Sequence, residues 1–186
     1  MTAGDLTTLD NVKGWLSPPL TATADDQLLA RLITAASRFI QTWLNRAIAA
    51  RTYVETRDGD GGARLVFANA PVTAVASVTV DGRDVPPAGG THGHGYLFDP
   101  SMLYLRGHRL SDGVQNVVVS YTAGYDATPP DIEQACIELV VLRYKERDRI
   151  GQVSKNLAGE IVAFSQKDMP ADVATLIGQY RRNFTP

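Results

Sequence analysis

The sequence predicts an α+β fold, in which an antiparallel helical bundle with long central helices carries a small inserted antiparallel β unit and ends in an arm plus a helix. Apolar residues recur at three- and four-residue spacing over residues 23–46, which is the period of an amphipathic helix. From residue 51 the period changes to two, and short apolar segments alternate with Gly- and Pro-containing turns. We therefore expect a single domain over residues 1–186, with the β insertion at residues 51–122.

Two helices are predicted before the β insertion. The first is expected at residues 7–16 and ends at a Ser-Pro-Pro sequence, because the residue before a proline avoids the helical conformation. The second is expected at residues 23–46, where Thr23 and Asp26 have the spacing of a capping box.

The insertion contains six candidate strands separated by turn residues. They are residues 51–57, 64–67, 75–80, 96–98, 102–105 and 116–121. Asp81 and Gly82 lie between two short apolar segments and predict a hairpin. Six short strands cannot all lie at the edges of one flat sheet, so a barrel-like or two-layer arrangement is expected.

A third helix is predicted at residues 129–149. Thr128 can cap it, and Pro129 occupies a first-turn position where a missing N–H is tolerated. Four consecutive apolar residues, 139–142, cover every side of a helical turn, which predicts burial by other helices or by a neighbouring copy of the chain. An extended arm is expected at residues 151–169, with a strand near residues 160–164, and a last helix at residues 170–183.

Composition and charge argue against several function classes. The net charge is −2 and the isoelectric point is near 5.9, so a protein that binds DNA tightly through its phosphates is not expected. The N-terminus lacks the pattern of a signal peptide, and no apolar segment is long enough to span a membrane. We expect a soluble protein made in a reducing cytoplasm, with Cys136, the one cysteine, as a core residue.

The sequence offers little support for catalysis. His92 and His94 have a metal-ligand spacing, but a zinc site needs three or four ligands, and this pair lies in a glycine-rich surface loop. The Gly-rich segment at residues 59–62 lacks the Lys and Ser/Thr of a phosphate-binding loop. We therefore predict no catalytic residue, no metal, no cofactor and no enzymatic activity.

Arginines and a lysine are frequent at the end of the third helix and again near residue 181. Two interpretations stay open for them. They are ordinary helix-end charges interleaved with Glu146 and Asp148, or they contact an acidic partner surface and occasionally passing DNA.

Several segments in a fixed order resemble one protein family. These are DDQLLARLITAASRFIQTWLNRAI, then VVVSYTAGYDATPPDIEQACIELVVLRYKER, then Gly151 and Ser154 of a G-x-x-S arm, and a Tyr-Arg-Arg sequence at residues 180–182. Their order and spacing resemble the head–tail connector, or adaptor, proteins of tailed bacteriophages and phage-derived gene-transfer particles.

The resemblance implies a structural protein of the virion neck, assembled in the host cytoplasm. It implies a dodecameric ring beneath the capsid portal that continues the DNA channel, touches packaged DNA transiently and binds a tail-side neck protein. The arm and last helix are expected to dock on the portal, and the Gly-rich loops to face the tail. The expected portal or subunit interface comprises Leu139, Val140, Val141, Leu142, Arg143, Arg147, Arg149, Ser154, Phe164, Tyr180, Arg181 and Arg182. The expected tail-facing loop comprises Gly89, His92 and His94.

Two alternatives stay open at this stage. One is another neck or tail-completion protein, such as a stopper or tail terminator. The other is a small metal-binding enzyme that uses His92 and His94.

Overall fold

The computed structural model describes residues 4–90, 92–147, 154–157, 160–163 and 169–181, and for 154–157 and 160–163 it describes the backbone pairing. The chain divides into two compact units. A helical unit combines Met1–Ile48 with Thr128–Pro186, and a β unit comprises Ala49–Ala127.

The helical unit contains four helices and one hairpin among the described residues. They are α1 (Leu9–Trp15), α2 (Asp26–Leu44), α3 (Pro130–Glu146), α4 (Ala171–Gly178) and the antiparallel strands β8 (Ser154–Leu157) and β9 (Glu160–Ala163). The strand predicted near residues 160–164 is confirmed by β9. No helix in the described parts of the chain is long and apolar enough to cross a membrane.

Local interactions fix where α2 begins and ends. Lys13 Nζ lies 2.7 Å from Asp26 Oδ1 and so connects α1 to the first residue of α2. At the other end Asn45 has a left-handed backbone with φ 55°, which stops the helix. Between these ends, Leu29, Ile33 and Ile40 recur on one side of α2 and are buried, as the predicted apolar period requires.

The β unit consists of two antiparallel sheets. Its strands are β1 (Arg51–Gly59), β2 (Arg64–Val66), β3 (Val72–Val80), β4 (Arg83–Asp84), β5 (Gly95–Phe98), β6 (Met102–Arg106) and β7 (Gly113–Ala123). The larger sheet has the order β1-β7-β3-β4, and the smaller has the order β2-β6-β5. Each of the six predicted strand segments overlaps one of these strands, and the predicted turn at residues 81–82 joins β3 to β4.

The two sheets share one hydrophobic core. Val117, Val119 and Tyr121 of the central strand β7 are buried there together with Leu103 and Leu105 of β6. Their spacing of two residues places alternate side chains of each strand on the outside. The β unit is therefore a two-layer sandwich, one of the two arrangements that the number of short strands predicts.

Gly124 directly follows the last residue of β7. Its φ is +124°, and a Cβ at this position would lie 2.7 Å from the carbonyl oxygen of Ala49. Both the backbone conformation and the close approach of the Ala49–Ala50 backbone, just before β1, require glycine here.

The predicted antiparallel helical bundle with long central helices is wrong. Nine strands accompany only four short helices in the described residues, and the two antiparallel sheets form a unit with its own core. The sequence favoured a bundle because a continuous apolar run, such as residues 139–142, indicates burial strongly. Short alternating strands give a weaker signal for each residue, although together they bury a core of their own.

Candidate assembly surfaces

The apolar run of α3 lies inside the helical unit. Leu139, Val140 and Val141 are buried, and Leu142 is half-buried. The helix contacts α1, α2 and α4, so the burial on several sides that the sequence predicts is provided by helices of the same chain. A role for these four residues in portal or subunit contacts stays a prediction.

The charged end of α3 is held by aromatic side chains. The Arg143 guanidinium lies 5.0 Å from the ring centroid of Phe39, and that of Arg147 lies 4.1 Å from the ring of Tyr144. The Tyr144 hydroxyl donates a hydrogen bond to Asp25, which raises the pKa of the phenol. Arg143 is half-buried and Arg147 is exposed, so Arg147 is the better placed of the two for contact with a partner.

Helix α4 is anchored on the helical unit through both apolar and polar contacts. Val173 and Ile177 are buried. Beyond the helix, Gln179 Nε2 and Tyr180 Oη donate hydrogen bonds of 2.8 and 3.0 Å to Asp131 Oδ2 in the first turn of α3. The polar contacts explain why the Tyr-Arg-Arg segment begins next to α3.

Arg181 continues this anchoring, because its guanidinium lies 5.1 Å from the ring centroid of Trp43. A groove of about 410 Å³ lies between α3 and α4, and the side chain of Trp15, which is 53% exposed, forms part of its wall. Exposed tryptophans beside a groove are frequent anchors of protein interfaces.

Some predicted interface residues are not described by the structure. Arg149, Phe164 and Arg182 lie outside the described residues. Ser154 begins β8, for which the structure gives the backbone pairing with Ala163 of β9. Within the predicted arm the structure therefore describes one antiparallel hairpin, and the arm itself stays a prediction.

The predicted tail-facing loop is at the surface of the β unit, where Gly89, His92 and His94 are exposed. A Cβ at Gly107 would lie 1.7 Å from His94 Nδ1, so the imidazole lies directly against the backbone at Gly107. In the described part of the chain, which omits Thr91 of this loop, no three His, Cys, Asp or Glu side chains come together as metal ligands. The metal-enzyme alternative therefore finds no ligand set among those residues.

The sequence analysis did not name the outer faces of the β sandwich as candidate surfaces. Val54 of β1 is 72% exposed and Val66 of β2 is 62% exposed. The sequence indicates that successive side chains of each strand alternate between the two sides of its sheet. The face on which each alternate residue lies follows only from the pairing of strands far apart in the chain.

Comparison with known proteins connects this architecture to one family. The sequence model of the head completion protein family matches residues 5–183, which include both units. The chain belongs to the head completion protein family. The resemblance to head–tail connector-type proteins of phages and gene-transfer particles is thereby confirmed.

Solved structures share the fold of this head completion protein. A chain in the neck of an empty gene transfer agent (GTA) particle, computed with C6 symmetry, aligns with a TM-score of 0.60 at 20% identity over 100% of this chain and 94% of that chain. A chain from the virion of the native particle gives 0.60 at 18% identity, with the same coverage. A chain in the native neck, computed with C12 symmetry, gives 0.55 at 20% identity over 86% of this chain and 84% of that chain. No curated protein sequence matches this one significantly.

Proposed function

We propose that this head completion protein is a structural component of the virion neck, where copies form a ring that joins the capsid portal to the tail and continues the DNA channel. The observation that carries the proposal is the family match over residues 5–183. The alignment of the entire chain with a protein of a GTA particle neck supports it further. That likeness extends over both units, so it does not depend on one common motif.

A cyclic ring of identical subunits is the oligomer that this function requires. The similar neck structures were computed with sixfold and twelvefold symmetry, which supports the dodecameric ring that the resemblance implies. The net charge of −2 is also suited to a channel, because a strongly basic wall would retain DNA through its phosphates.

We further propose that the arm and α4 dock on the portal. Removal of everything after residue 151 tests this only coarsely, because α4 buries Val173 and Ile177 and its loss uncovers α3. A sharper test is Leu176→Glu, which alters an exposed side chain of α4. Loss of binding to purified portal is expected for this variant, with Ala30→Glu on the exposed side of α2 as the control. Equal binding of both variants and of the wild type would remove α4 from the portal interface.

The neck function itself is tested by electron microscopy of particles from cells that lack the gene. DNA-filled or leaking heads beside unattached tails are expected, and a plasmid copy of the gene should restore joined particles. Such a copy also allows each variant described here to be scored in the same assay. Intact, infectious, tailed particles made without the gene would contradict the proposal.

A further inference from the structure

The outward side of α2 carries arginines and has no carboxylate beyond its first turn. Arg31 and Arg38 are both exposed, and their seven-residue spacing places them on the same side of the helix, about 10.5 Å apart along its axis. The side chains of Thr34 and Ala35, which lie between them, are short. Neither arginine makes an ion pair or a hydrogen bond within the described residues. Both guanidiniums are therefore available to an external anion.

Two further guanidiniums lie on aromatic rings of the same helix. That of Arg143, from α3, is 5.0 Å from the ring centroid of Phe39, and that of Arg181, beyond α4, is 5.1 Å from the ring centroid of Trp43. A guanidinium stacked on a ring still presents N–H groups around its edge, where an oxygen can accept from them. We name the four arginines the α2 basic surface: Arg31, Arg38, Arg143 and Arg181.

The carboxylates near this surface do not neutralise it. Three of them accept hydrogen bonds beside it: Asp5 from Thr34, Asp25 from Tyr144 and Asp131 from Tyr180. Asp26, which begins α2, is paired with Lys13. With Arg147, which lies over the Tyr144 ring, five guanidiniums stand against three carboxylates and leave a local charge of +2. Adding Glu146 at the end of α3 still leaves +1, in a chain whose net charge is −2.

We propose that the α2 basic surface contacts the backbone phosphates of double-stranded DNA that passes through the neck. The inference rests on the proposed neck function, and it adds which helix faces the channel. For Arg143 and Arg181 it selects one of the two interpretations that the sequence left open, a contact with DNA rather than ordinary helix-end charge.

The lack of apolar anchors favours DNA over an acidic partner protein. Six large apolar side chains are exposed in the described part of the chain, and none of them lies on α2. The energetic centre of a protein interface is built from such side chains, above all aromatic ones. The two aromatic residues of this surface, Phe39 and Trp43, are covered by guanidiniums. A surface of cations without an apolar centre is typical of phosphate binding.

Phosphates also suit the spacing and the required strength of the contact. Duplex DNA carries one negative charge for about every 1.7 Å of its axis, so guanidiniums about 10.5 Å apart find acceptors on any base sequence. Arg31 and Arg38 line one groove of about 540 Å³ along α2. Because the net charge is −2, the residues other than the four arginines sum to −6 and oppose tight binding. A weak contact agrees with a channel through which DNA moves.

The salt dependence of DNA binding tests the surface directly. The full-length protein is titrated into a fluorescently labelled duplex of arbitrary sequence at several salt concentrations, and the anisotropy gives the affinity. Four phosphate contacts for each bound subunit predict a slope of about −3.6 when log affinity is plotted against log salt concentration. Arg31→Gln combined with Arg38→Gln should reduce this slope by about 1.8 and lower the affinity at about 0.1 M salt by more than about tenfold.

A second double variant is the matched control. Arg83→Gln combined with Arg106→Gln removes the same total charge at two exposed positions of the β unit. This variant should change the slope far less. An equal reduction in both double variants would mean attraction by overall charge alone, and a slope that neither variant changes would mean no contact at α2, so either result overturns the proposal. Circular dichroism checks that both variants are folded.

Photo-cross-linking in particles identifies what lies against α2. Ala35 is exposed between Arg31 and Arg38, and Ala35→Cys labelled with an aryl azide places a reactive group within the surface, while the buried Cys136 stays unlabelled. Labelled protein is added to DNA-filled heads from cells that lack the gene, and the illuminated products are compared with and without nuclease. We expect a nuclease-sensitive product above the background set by labelled Val54→Cys. A nuclease-resistant product alone would identify a protein partner and overturn the proposal.

The outcomes separate this inference from the function on which it rests. If the wild-type protein neither enters particles nor restores tails, the neck function fails and a contact in its channel fails with it. If the wild-type protein restores joined particles, yet Ala35→Cys gives no nuclease-sensitive product or the two double variants have the same salt slope, the neck function stands and the DNA contact at α2 is wrong.

Discussion

Tyr121 donates a hydrogen bond from its hydroxyl to Glu55 Oε2, 2.6 Å away, and so connects the central strand β7 to the edge strand β1 inside the sandwich. The same hydroxyl accepts hydrogen bonds from the backbone and side-chain nitrogens of Asn69, at 3.1 and 3.2 Å. The ring of Tyr121 lies 4.7 Å from that of Phe67 and 5.6 Å from that of Tyr53. One side chain therefore joins the larger sheet to the segment that leads from β2 to β3.

Tyr121→Phe is expected to lower the free energy of unfolding by about 1–2 kcal/mol, because it leaves partly buried hydrogen-bonding groups of Glu55 and Asn69 without this partner. The measurement is urea denaturation at neutral pH. Tyr96→Phe is the matched control, since among the described residues the Tyr96 hydroxyl makes one hydrogen bond, to the carbonyl oxygen of Val75 at 3.2 Å, and a smaller loss is expected. A larger loss for the control would contradict the importance of the Tyr121 connection.

The same tyrosine predicts a loss of stability at alkaline pH. Burial, together with the hydrogen bond to Glu55, raises the pKa of Tyr121 from 10.0 to about 12. Between these values the unfolded chain releases the proton and the folded chain keeps it, so the stabilisation is complete below pH 10 and is lost as the pH rises towards 12. The free energy of unfolding of Tyr121→Phe should fall less steeply than that of the wild type over this range. Parallel curves would show that Tyr121 titrates normally.

How far the sequence predicted the fold depended on whether the information was local. The period of two located the strands, but the pairing of Tyr53 with Tyr121 joins residues far apart in the chain and has no local signal. The run at Leu139 indicated burial without indicating its partner, and the helical bundle was inferred from it wrongly. For the same reason the sequence identified Arg147 as a charged surface residue but not Val54, whose exposure depends on sheet pairing.

Asp99 organises the turn between β5 and β6 and predicts an acid-sensitive step. Its carboxylate accepts hydrogen bonds from Ser101 N at 2.7 Å, Met102 N at 2.8 Å and Tyr104 Oη at 2.7 Å. These hydrogen bonds, led by the one from the Ser101 backbone, lower the pKa of Asp99 from 3.8 to about 2. The stabilisation is therefore present above pH 3.8 and is lost as the pH falls towards 2.

Asp99→Asn should lower the midpoint of thermal unfolding at pH 7 and reduce its further fall between pH 4 and pH 2. Asp84→Asn, at an exposed position of β4, is the control and should change neither quantity. An Asp99→Asn curve that parallels the wild type over the acid range would show that this carboxylate makes no special contribution.

The hydrogen bonds that Asp131 accepts from Gln179 and Tyr180 predict that removing its carboxylate loosens the chain at the end of α4. Asp131→Ala removes the carboxylate that accepts the hydrogen bonds of Gln179 and Tyr180, while the side chains of Val173 and Ile177 stay buried and still hold the helix. We expect faster backbone hydrogen exchange in residues 177–181 and a loss of only about 1 kcal/mol in overall stability, because these groups are partly exposed. Asp131→Asn keeps an acceptor oxygen and should change exchange less. Unchanged exchange in Asp131→Ala would mean that the apolar contacts alone hold the end of α4.

The burial of Cys136 predicts that its reaction with a thiol reagent measures the rate of unfolding. The side chain is fully buried, and burial raises its pKa to about 11, so the reactive thiolate is scarce near neutral pH. Its sulfur lies 3.6 Å from Ser37 Oγ, which also accepts a 2.9 Å hydrogen bond from the backbone N–H of Leu6. A coloured disulfide reagent at pH 8 should therefore react at the rate of unfolding, and Ser37→Ala should speed the reaction, because it leaves the buried Leu6 N–H without this acceptor.

The exposed thiol of Val54→Cys provides the control for that reaction, since it should be modified at once while Cys136 in the same chain reacts slowly. The raised pKa adds a second readout. The unfolded thiol ionises from about pH 9 and the folded one only near pH 11, so the stabilisation is complete below pH 9 and declines through this window. Cys136→Ala should flatten the stability curve there. Prompt modification of Cys136 in the folded wild type would contradict the packing of α3 against α2 at Ser37.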